Sequence, residues 1–146
     1  MAQISAFLES GTRVRITNGR HEWLADEPLD AEGTDMGPMP YELLLGSLAA
    51  CTAITLRLYA QHKGIEIPWM RLSYEHDYIE SDGADGGRSG RFERITAHVT
   101  IGGDYDDAQR ARLTQIVGRC KVHKTLTESV EIIDEVVFAD LAETVA

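Results

Sequence analysis

A long helical stretch that is apolar around most of its circumference constrains this fold more than any other feature. Residues 40–64 read PYELLLGSLAACTAITLRLYAQHKG. Proline is tolerated in the first turn of a helix, and a basic last turn followed by glycine is a common helix end. Between Leu43 and Leu56 the predicted helix is apolar on nearly every side, so protein must surround it. One small domain rarely supplies that cover, which indicates help from a second subunit.

Burial in protein fits this stretch better than membrane insertion. The uncharged run from Leu43 to Leu56 is 14 residues long, whereas about 20 residues are needed to cross a bilayer. The N-terminal sequence MAQISAFLES has neither a positive region nor a long apolar segment, so we do not expect a secretory signal. The expected compartment is the cytoplasm.

The net charge excludes two classes of partner. The 146 residues include 14 Lys and Arg against 24 Asp and Glu, a formal charge of −10, and the isoelectric point is about 4.8. Nucleic-acid binders need a basic face, and anionic membranes attract basic segments. We therefore expect no nucleic-acid partner and no membrane partner. The length fits a single domain over residues 1–146.

The remaining segments predict an α+β order of elements. Before the helix, alternating segments and an Asn-Gly turn predict an antiparallel meander of three strands, Ile4–Leu8, Arg13–Thr17 and His21–Ala25, followed by a loop over Asp26–Pro40. After Pro68 we expect a long antiparallel hairpin with a glycine-rich turn. Phe92 is out of phase with the later apolar positions, which predicts a bulge or a change of face near Glu93-Arg94.

A second helix and a last strand complete the prediction. Asp104, Asp106 and Asp107 suit a helix start, and one apolar stripe then runs through Leu113, Ile116, Val117 and Cys120. This pattern places Cys120 on the inward face of the second helix. A helical turn over Lys124–Glu128 and a strand over Val130–Phe138 follow.

Two cysteines, Cys51 and Cys120, are the only ones in the chain. A buried free cysteine is most often a small core residue, but two core helices that pack together would bring these two sulfurs close. Cytoplasmic proteins rarely keep static disulfides, so a functional pair would be redox-active. Cys51 lies about three turns into its helix, beyond reach of the helix dipole, and burial would raise its pKa.

A reactive Cys51 would therefore need a cation from another segment. The candidates are Arg13, Arg15 and Arg20, each of which could equally be an outward charge on a strand. Glu42 could orient such a guanidinium, or it could serve only as a first-turn acid. The histidines have no HxxxH or CxxC spacing, and phosphate-binding and nucleophile-elbow motifs are lacking, so no metal or bound cofactor is expected.

Two motifs resemble the OsmC/Ohr family. The first contains Asp26-Glu27-Pro28, then GPMPYELLL over residues 37–45 and LAACT over residues 48–52; the second is CKVHKTL over residues 120–126. Their order and spacing fit, and the similarity spans about Arg15 to Val137. The resemblance implies an intertwined homodimer, in which antiparallel sheets from both chains wrap around two central helices.

The resemblance also implies a thiol peroxidase that reduces organic hydroperoxides and, more weakly, hydrogen peroxide. Cys51 would be the peroxidatic thiolate and Cys120 the resolving cysteine, and an external dithiol such as a lipoyl-type reductant would regenerate the enzyme. Arg13 is the nearest candidate for the activating arginine. The best-known peroxidase branches have Glu directly after the proline that corresponds to Pro40, but here Tyr41 follows it and the acid is Glu42, 100° further around the helix.

Two other functions remain open from the sequence. One is a non-catalytic dimer that binds an apolar ligand near Cys51. The other is a redox sensor or thiol-disulfide exchanger that acts on a protein partner. A Cys51 pKa near or above the free value of about 8.5 would favour the binding protein.

Overall fold

The first three strands form a small antiparallel sheet at the N-terminal end of the chain. The computed structural model describes residues 2–8, 10–84, 87, 89–128 and 130–139. The strands are β1 (Ser5–Leu8), β2 (Val14–Thr17) and β3 (Glu22–Ala25), in the order β1-β2-β3. Asn18 and Gly19 make the turn between β2 and β3, with Gly19 at φ +86°, a conformation that glycine adopts without steric cost. The predicted meander is confirmed.

The loop after β3 is anchored by one buried carboxylate. Asp26 accepts hydrogen bonds from the hydroxyl groups of Thr12 and Thr34 and from the backbone N–H groups of Glu27, Thr34 and Met36. These donors favour the ionised form and hold the pKa of Asp26 well below its usual range. Asp26 thereby ties the loop, which contains a short 3-10 helix over Leu29–Ala31, to the first sheet.

The long helix α1 spans Pro40–Lys63 and ends at Gly64, whose φ is +65°. Both boundaries match the prediction. Only one stripe of this helix is buried, Leu48, Thr52, Leu56 and Ala60. The opposite stripe, Gly46, Ala50, Ile54 and Leu58, is exposed in the single chain. By length and composition alone α1 is apolar enough to cross a membrane, but core helices of soluble proteins meet the same two criteria.

Strands β4 (Trp69–Asp82) and β5 (Ser89–Gly102) form the predicted long hairpin. The register runs regularly from Trp69 opposite Gly102 to Asp82 opposite Ser89. There is therefore no bulge near Glu93-Arg94, but the alternative, a change of face, is observed. The half-buried side chains switch from His76 and Ile95 on one face to Ile79 and Phe92, which pair with each other on the opposite face. Residues 85, 86 and 88 of the predicted turn lie outside the described residues.

Helices α2 (Asp107–Val117) and α3 (Lys121–Thr127) pack on α1. Asp106 caps α2 by accepting the N–H of Gln109 at 2.7 Å, as the acidic start predicts. The core joins α1, α2 and the segment after α1 through Leu56, Ala60, Ile67, Tyr105, Leu113 and Ile116.

Two predictions for the C-terminal part are wrong. Cys120 does not lie on α2, because α2 ends at Val117 and Cys120 is instead the capping residue of α3. Residues 130–139 form no strand in this chain. A strand requires a hydrogen-bonded partner, and no described segment pairs with this one. The final residues, 140–146, lie outside the described part.

Candidate active site

The two cysteines meet where α3 begins against the middle of α1. Cys51 is half-buried on α1, and Cys120 is completely buried at the start of α3. The Cys120 thiol is among the groups that lower the pKa of Cys51, and its sulfur contacts Thr52, the next residue of α1. The packing of α3 on α1 therefore places the two cysteines in one site, although Cys120 reaches it from a helix start rather than from a helical stripe.

Several donors lower the pKa of Cys51. Burial is the largest single influence and raises the pKa. The backbone N–H of Val122, the thiol of Cys120 and the backbone N–H of Lys121 favour the thiolate, with the smallest contribution from Thr55, whose hydroxyl donates to the Cys51 carbonyl oxygen, and together these groups outweigh burial. The first N–H groups of a helix have no partner within the helix, so those of Lys121 and Val122 are free to face the Cys51 sulfur. These contacts are looser than the bonds to Cys120 described next.

Two well-formed hydrogen bonds hold the Cys120 sulfur. The backbone N–H of His123 donates to Cys120 Sγ at 3.2 Å, and the hydroxyl of Thr52 donates to the same atom at 3.5 Å. The hydroxyl of Tyr74 on β4 donates in turn to Thr52 Oγ1 at 3.0 Å. Three hydroxyl or thiol groups from three elements therefore form a continuous chain that ends at the Cys120 sulfur.

The strand arginines lie on a different surface of this chain. Arg13 lines a cavity of about 310 Å³ on the first sheet together with Arg15. The Arg15 guanidinium lies 5.7 Å from the centre of the Phe7 ring. Among the described residues, the groups that lower the pKa of Cys51 include no arginine. The activating role of Arg13 stays a prediction, because a guanidinium from a second subunit is not tested by one chain.

Glu42 serves its own helix in this chain. Its carboxylate accepts the backbone N–H of Met39 at 2.9 Å, which satisfies a donor just before the first turn of α1. This is the first-turn role that the sequence left open. Whether Glu42 also orients an arginine stays a prediction.

A cavity of about 420 Å³ lies between α1, the β4–β5 hairpin, α2 and α3. Its walls include Leu44, Leu48, Ile95, Ala97, Val117 and Leu126. Tyr74 and His123 also line it, and both belong to the hydrogen-bond chain around Cys120. Leu48 lies one turn before Cys51 and Thr52 on α1, so one wall of the cavity is formed by the turn of α1 that precedes Cys51.

The far end of this cavity carries a polar cluster that the sequence did not predict. The Tyr41 hydroxyl donates to the Glu93 carboxylate at 3.1 Å, and that carboxylate raises the pKa of Tyr41. The His76 ring stacks on Tyr41 with centroids 4.4 Å apart. His76 Nε2 lies 3.6 Å from Glu93. The alternation of Tyr74, His76 and Tyr78 along β4 is the pattern that could have indicated this face.

The described residues contain no group of three His, Cys, Asp or Glu side chains suited to hold a metal ion. Cys120 and His123, the nearest pairing in the sequence, interact through the backbone N–H of His123 rather than through its ring.

Solved structures with the same fold are found in several bacteria. An OsmC-like protein from Mycoplasma pneumoniae is 26% identical, with a TM-score of 0.66 and coverage of 87% of each chain. The organic hydroperoxide resistance protein OhrB of Bacillus subtilis is 20% identical, with a TM-score of 0.57 over 85% of this chain and 88% of that one. An organic hydroperoxide resistance protein from Legionella pneumophila is 17% identical, with a TM-score of 0.62 over 86% and 88% of the two chains.

Family membership rests on the sequence match rather than on the fold alone. No curated protein sequence matches the chain. The family model described as OsmC-like protein matches residues 33–133, a range that contains both cysteines and all of α1, β4, β5, α2 and α3. The chain belongs to the OsmC-like protein family.

Proposed function

We propose that this protein is a thiol-dependent peroxidase that reduces organic hydroperoxides and, more weakly, hydrogen peroxide. The observation that carries the proposal is the pair of free thiols in one buried site, with the pKa of Cys51 lowered by donors that include Cys120. A thiolate is the nucleophile in cysteine chemistry. The hydroperoxide resistance proteins that share this fold support the same substrate class.

The proposed reaction has three steps. The Cys51 thiolate attacks the hydroperoxide, which becomes an alcohol as the sulfur becomes a sulfenic acid and one proton is taken up. The Cys120 thiol then displaces water and forms a disulfide with Cys51. An external dithiol, such as a lipoyl-type reductant, reduces that disulfide by exchange and returns both thiols. No bound cofactor takes part.

The cavity beside the thiols supports an organic rather than an inorganic oxidant. Its volume of about 420 Å³ falls within the range of small-molecule sites. Its mainly apolar walls would hold the alkyl or aryl part of a hydroperoxide, and the peroxide group would then lie at the end nearest Cys51. Hydrogen peroxide has no apolar part to bind there, which accounts for the weaker activity that we propose.

We also propose that the protein is a cytoplasmic homodimer. The exposed stripe of α1 begins with Gly46 and Ala50, small residues that let another helix approach closely, and continues with Ile54 and Leu58. Residues 130–138 leave six apolar side chains between 60% and 95% exposed. A second copy would cover both features and would give the C-terminal segment a strand to pair with. Nucleic acids and membranes are not among the proposed partners.

Turnover of cumene hydroperoxide with excess dithiothreitol tests this function. With dithiothreitol present we expect the wild type and Ser47→Ala to consume peroxide continuously and Cys51→Ser to be inactive. Without any dithiol, Cys120→Ser should stop at a sulfenic acid after one equivalent of peroxide. Equal rates for wild type and Cys51→Ser would overturn the proposal. Comparing Arg13→Ala with Arg15→Ala and Arg20→Ala identifies the activating arginine, because only its loss should slow the first step.

The cavity also favours a second candidate, a non-catalytic dimer that binds an apolar ligand. In that case an uncharged ligand such as cumyl alcohol would bind with the same affinity to wild type and Cys51→Ser, and no peroxide would be consumed. A redox sensor would instead form the disulfide and then fail to turn over with excess dithiol. The lowered pKa of Cys51 favours the peroxidase over the binding protein.

A further inference from the structure

Thr52 behaves differently from the other hydroxyl residues of α1. Ser and Thr within helices commonly return their hydroxyl proton to a carbonyl of the preceding turn. Ser47 does so to Leu44 at 2.7 Å, and Thr55 does so to Cys51 at 2.7 Å. Thr52, which is only 1% exposed, instead donates to the sulfur of Cys120. Its proton is therefore directed out of its own helix.

Tyr74 explains why the Thr52 hydroxyl donates to Cys120 rather than to its own helix. Its hydroxyl comes from β4 and donates to Thr52 Oγ1 at 3.0 Å. A hydroxyl group has one proton to donate and two lone pairs to accept with. With one lone pair occupied by Tyr74, the buried Thr52 is satisfied as an acceptor and its single proton is available for Cys120.

We propose that Thr52, held by Tyr74, is a positioning residue that prepares Cys120 to resolve the sulfenic acid of Cys51. This inference rests on the proposed peroxidase function. Thr52 follows Cys51 directly, so the two side chains leave α1 about 100° apart and both reach Cys120. Cys51 thus presents the sulfur that is attacked, and Thr52 holds the attacking sulfur of Cys120.

The step balances as follows. Cys120 loses its proton and its sulfur attacks Cys51, the S–O bond breaks, and the released hydroxide takes up that proton as water. During this step the negative charge on Cys120 is stabilised by the Thr52 hydroxyl and by the backbone N–H of His123, which already donate to that sulfur in the reduced protein. The His123 donor is part of the backbone, so Thr52 is the donor that substitution can remove.

Rapid mixing of the reduced protein with cumene hydroperoxide separates the two steps. Dimedone trapping measures the sulfenic acid, and loss of the second thiol measures disulfide closure. Thr52→Val removes the hydroxyl at nearly constant shape. We expect formation of the sulfenic acid to be unchanged and closure to slow about tenfold, the change typical of losing one hydrogen bond to a charged acceptor.

Three further variants complete the test. Thr52→Ser restores the hydroxyl and should return closure to the wild-type rate, Tyr74→Phe should slow it by about threefold, and Ser47→Ala is the control for a helix hydroxyl that serves its own helix. Closure at the wild-type rate in Thr52→Val overturns the inference, as does an equal slowing of both steps. If Thr52→Val does not fold, an unchanged closure rate in Tyr74→Phe overturns it. If the wild type forms no sulfenic acid, the proposed function itself fails.

Discussion

The exposed stripe of α1 makes a quantitative prediction about assembly. Ile54 is 58% exposed and Leu58 is 60% exposed in the single chain, on the face opposite the buried core. Replacing Ile54 with Asp puts a carboxylate at the centre of this stripe. Because the position is exposed in one protomer, the substitution should leave the protomer folded and act on the dimer alone.

The magnitude follows from the exposed fraction. Full burial of an Ile or Leu side chain is worth about 1.5–3 kcal/mol, so covering the remaining six-tenths is worth about 1–2 kcal/mol per residue. In a symmetric dimer each residue is buried twice, so Ile54 contributes about 2–4 kcal/mol to association. Its loss corresponds to a dissociation constant raised at least about 30-fold. Two carboxylates brought together without cations would raise it further.

Sedimentation velocity over a concentration series measures this constant directly. Ile54→Val, which keeps an apolar side chain, is the matched control and should dimerise like the wild type. Circular dichroism confirms that both variants fold. A wild type that stays monomeric at about 100 μM, or an Ile54→Asp variant that dimerises as tightly as Ile54→Val, contradicts the proposed assembly.

Three further predictions concern titrating groups. Cys120→Ala removes a donor from Cys51, so the pKa of Cys51 should rise and alkylation by iodoacetamide at neutral pH should slow; an unchanged rate-against-pH curve would rule out the donor role. Glu93→Gln removes the carboxylate that raises the pKa of Tyr41, so ultraviolet titration, with Tyr41→Phe as the blank, should show that pKa nearer its ordinary value. The pKa of Asp26 is lower in the folded protein than in the unfolded chain. Its contribution to stability is therefore complete above the ordinary Asp pKa of about 3.9 and is lost as the pH falls below that value. Asp26→Asn should lose this part of the acid dependence of the free energy of unfolding, measured by denaturant titration.

The sequence predicted those parts of the fold that depend on local chemistry. Pro40 and Gly64 bound α1 as expected, because a missing N–H and a left-handed residue act within one turn. The β2–β3 turn at Asn18 and Gly19 has the same local origin. The apolar stripe through Leu113 and Ile116 likewise identified α2.

The wrong predictions depend on partners distant in sequence. The stripe through Cys120 keeps a helical period across Gly118, where α2 ends, so spacing alone could not reveal the break. For Phe92 the sequence left a bulge and a change of face open, and only its regular pairing with Ile79 decides for the change of face. The segment 130–138 has the apolar composition of a strand, but a strand also requires a hydrogen-bonded partner, and no described segment pairs with it.

The sequence predicted the two cysteines of the site but not the groups that surround them. The motifs identified Cys51 and Cys120, and packing brings the two sulfurs together. The backbone donors of Lys121 and Val122 could not be predicted, because a backbone N–H carries no side-chain identity. Thr52 and Tyr74 were missed for a different reason, since a buried hydroxyl in a helix and an inward tyrosine in a strand are both common core residues.

The position of these donors also bears on how the proposed cycle closes. Three of the four groups that stabilise the Cys51 thiolate, the N–H groups of Lys121 and Val122 and the thiol of Cys120, come from one short segment. A disulfide sulfur carries no charge, so oxidation removes the anion that these donors stabilise. Stabilisation of the reduced form makes a disulfide more oxidising. An external dithiol should therefore readily reduce the disulfide between Cys51 and Cys120. A disulfide that forms in every turnover must be easy to reduce, whereas a structural disulfide must resist reduction.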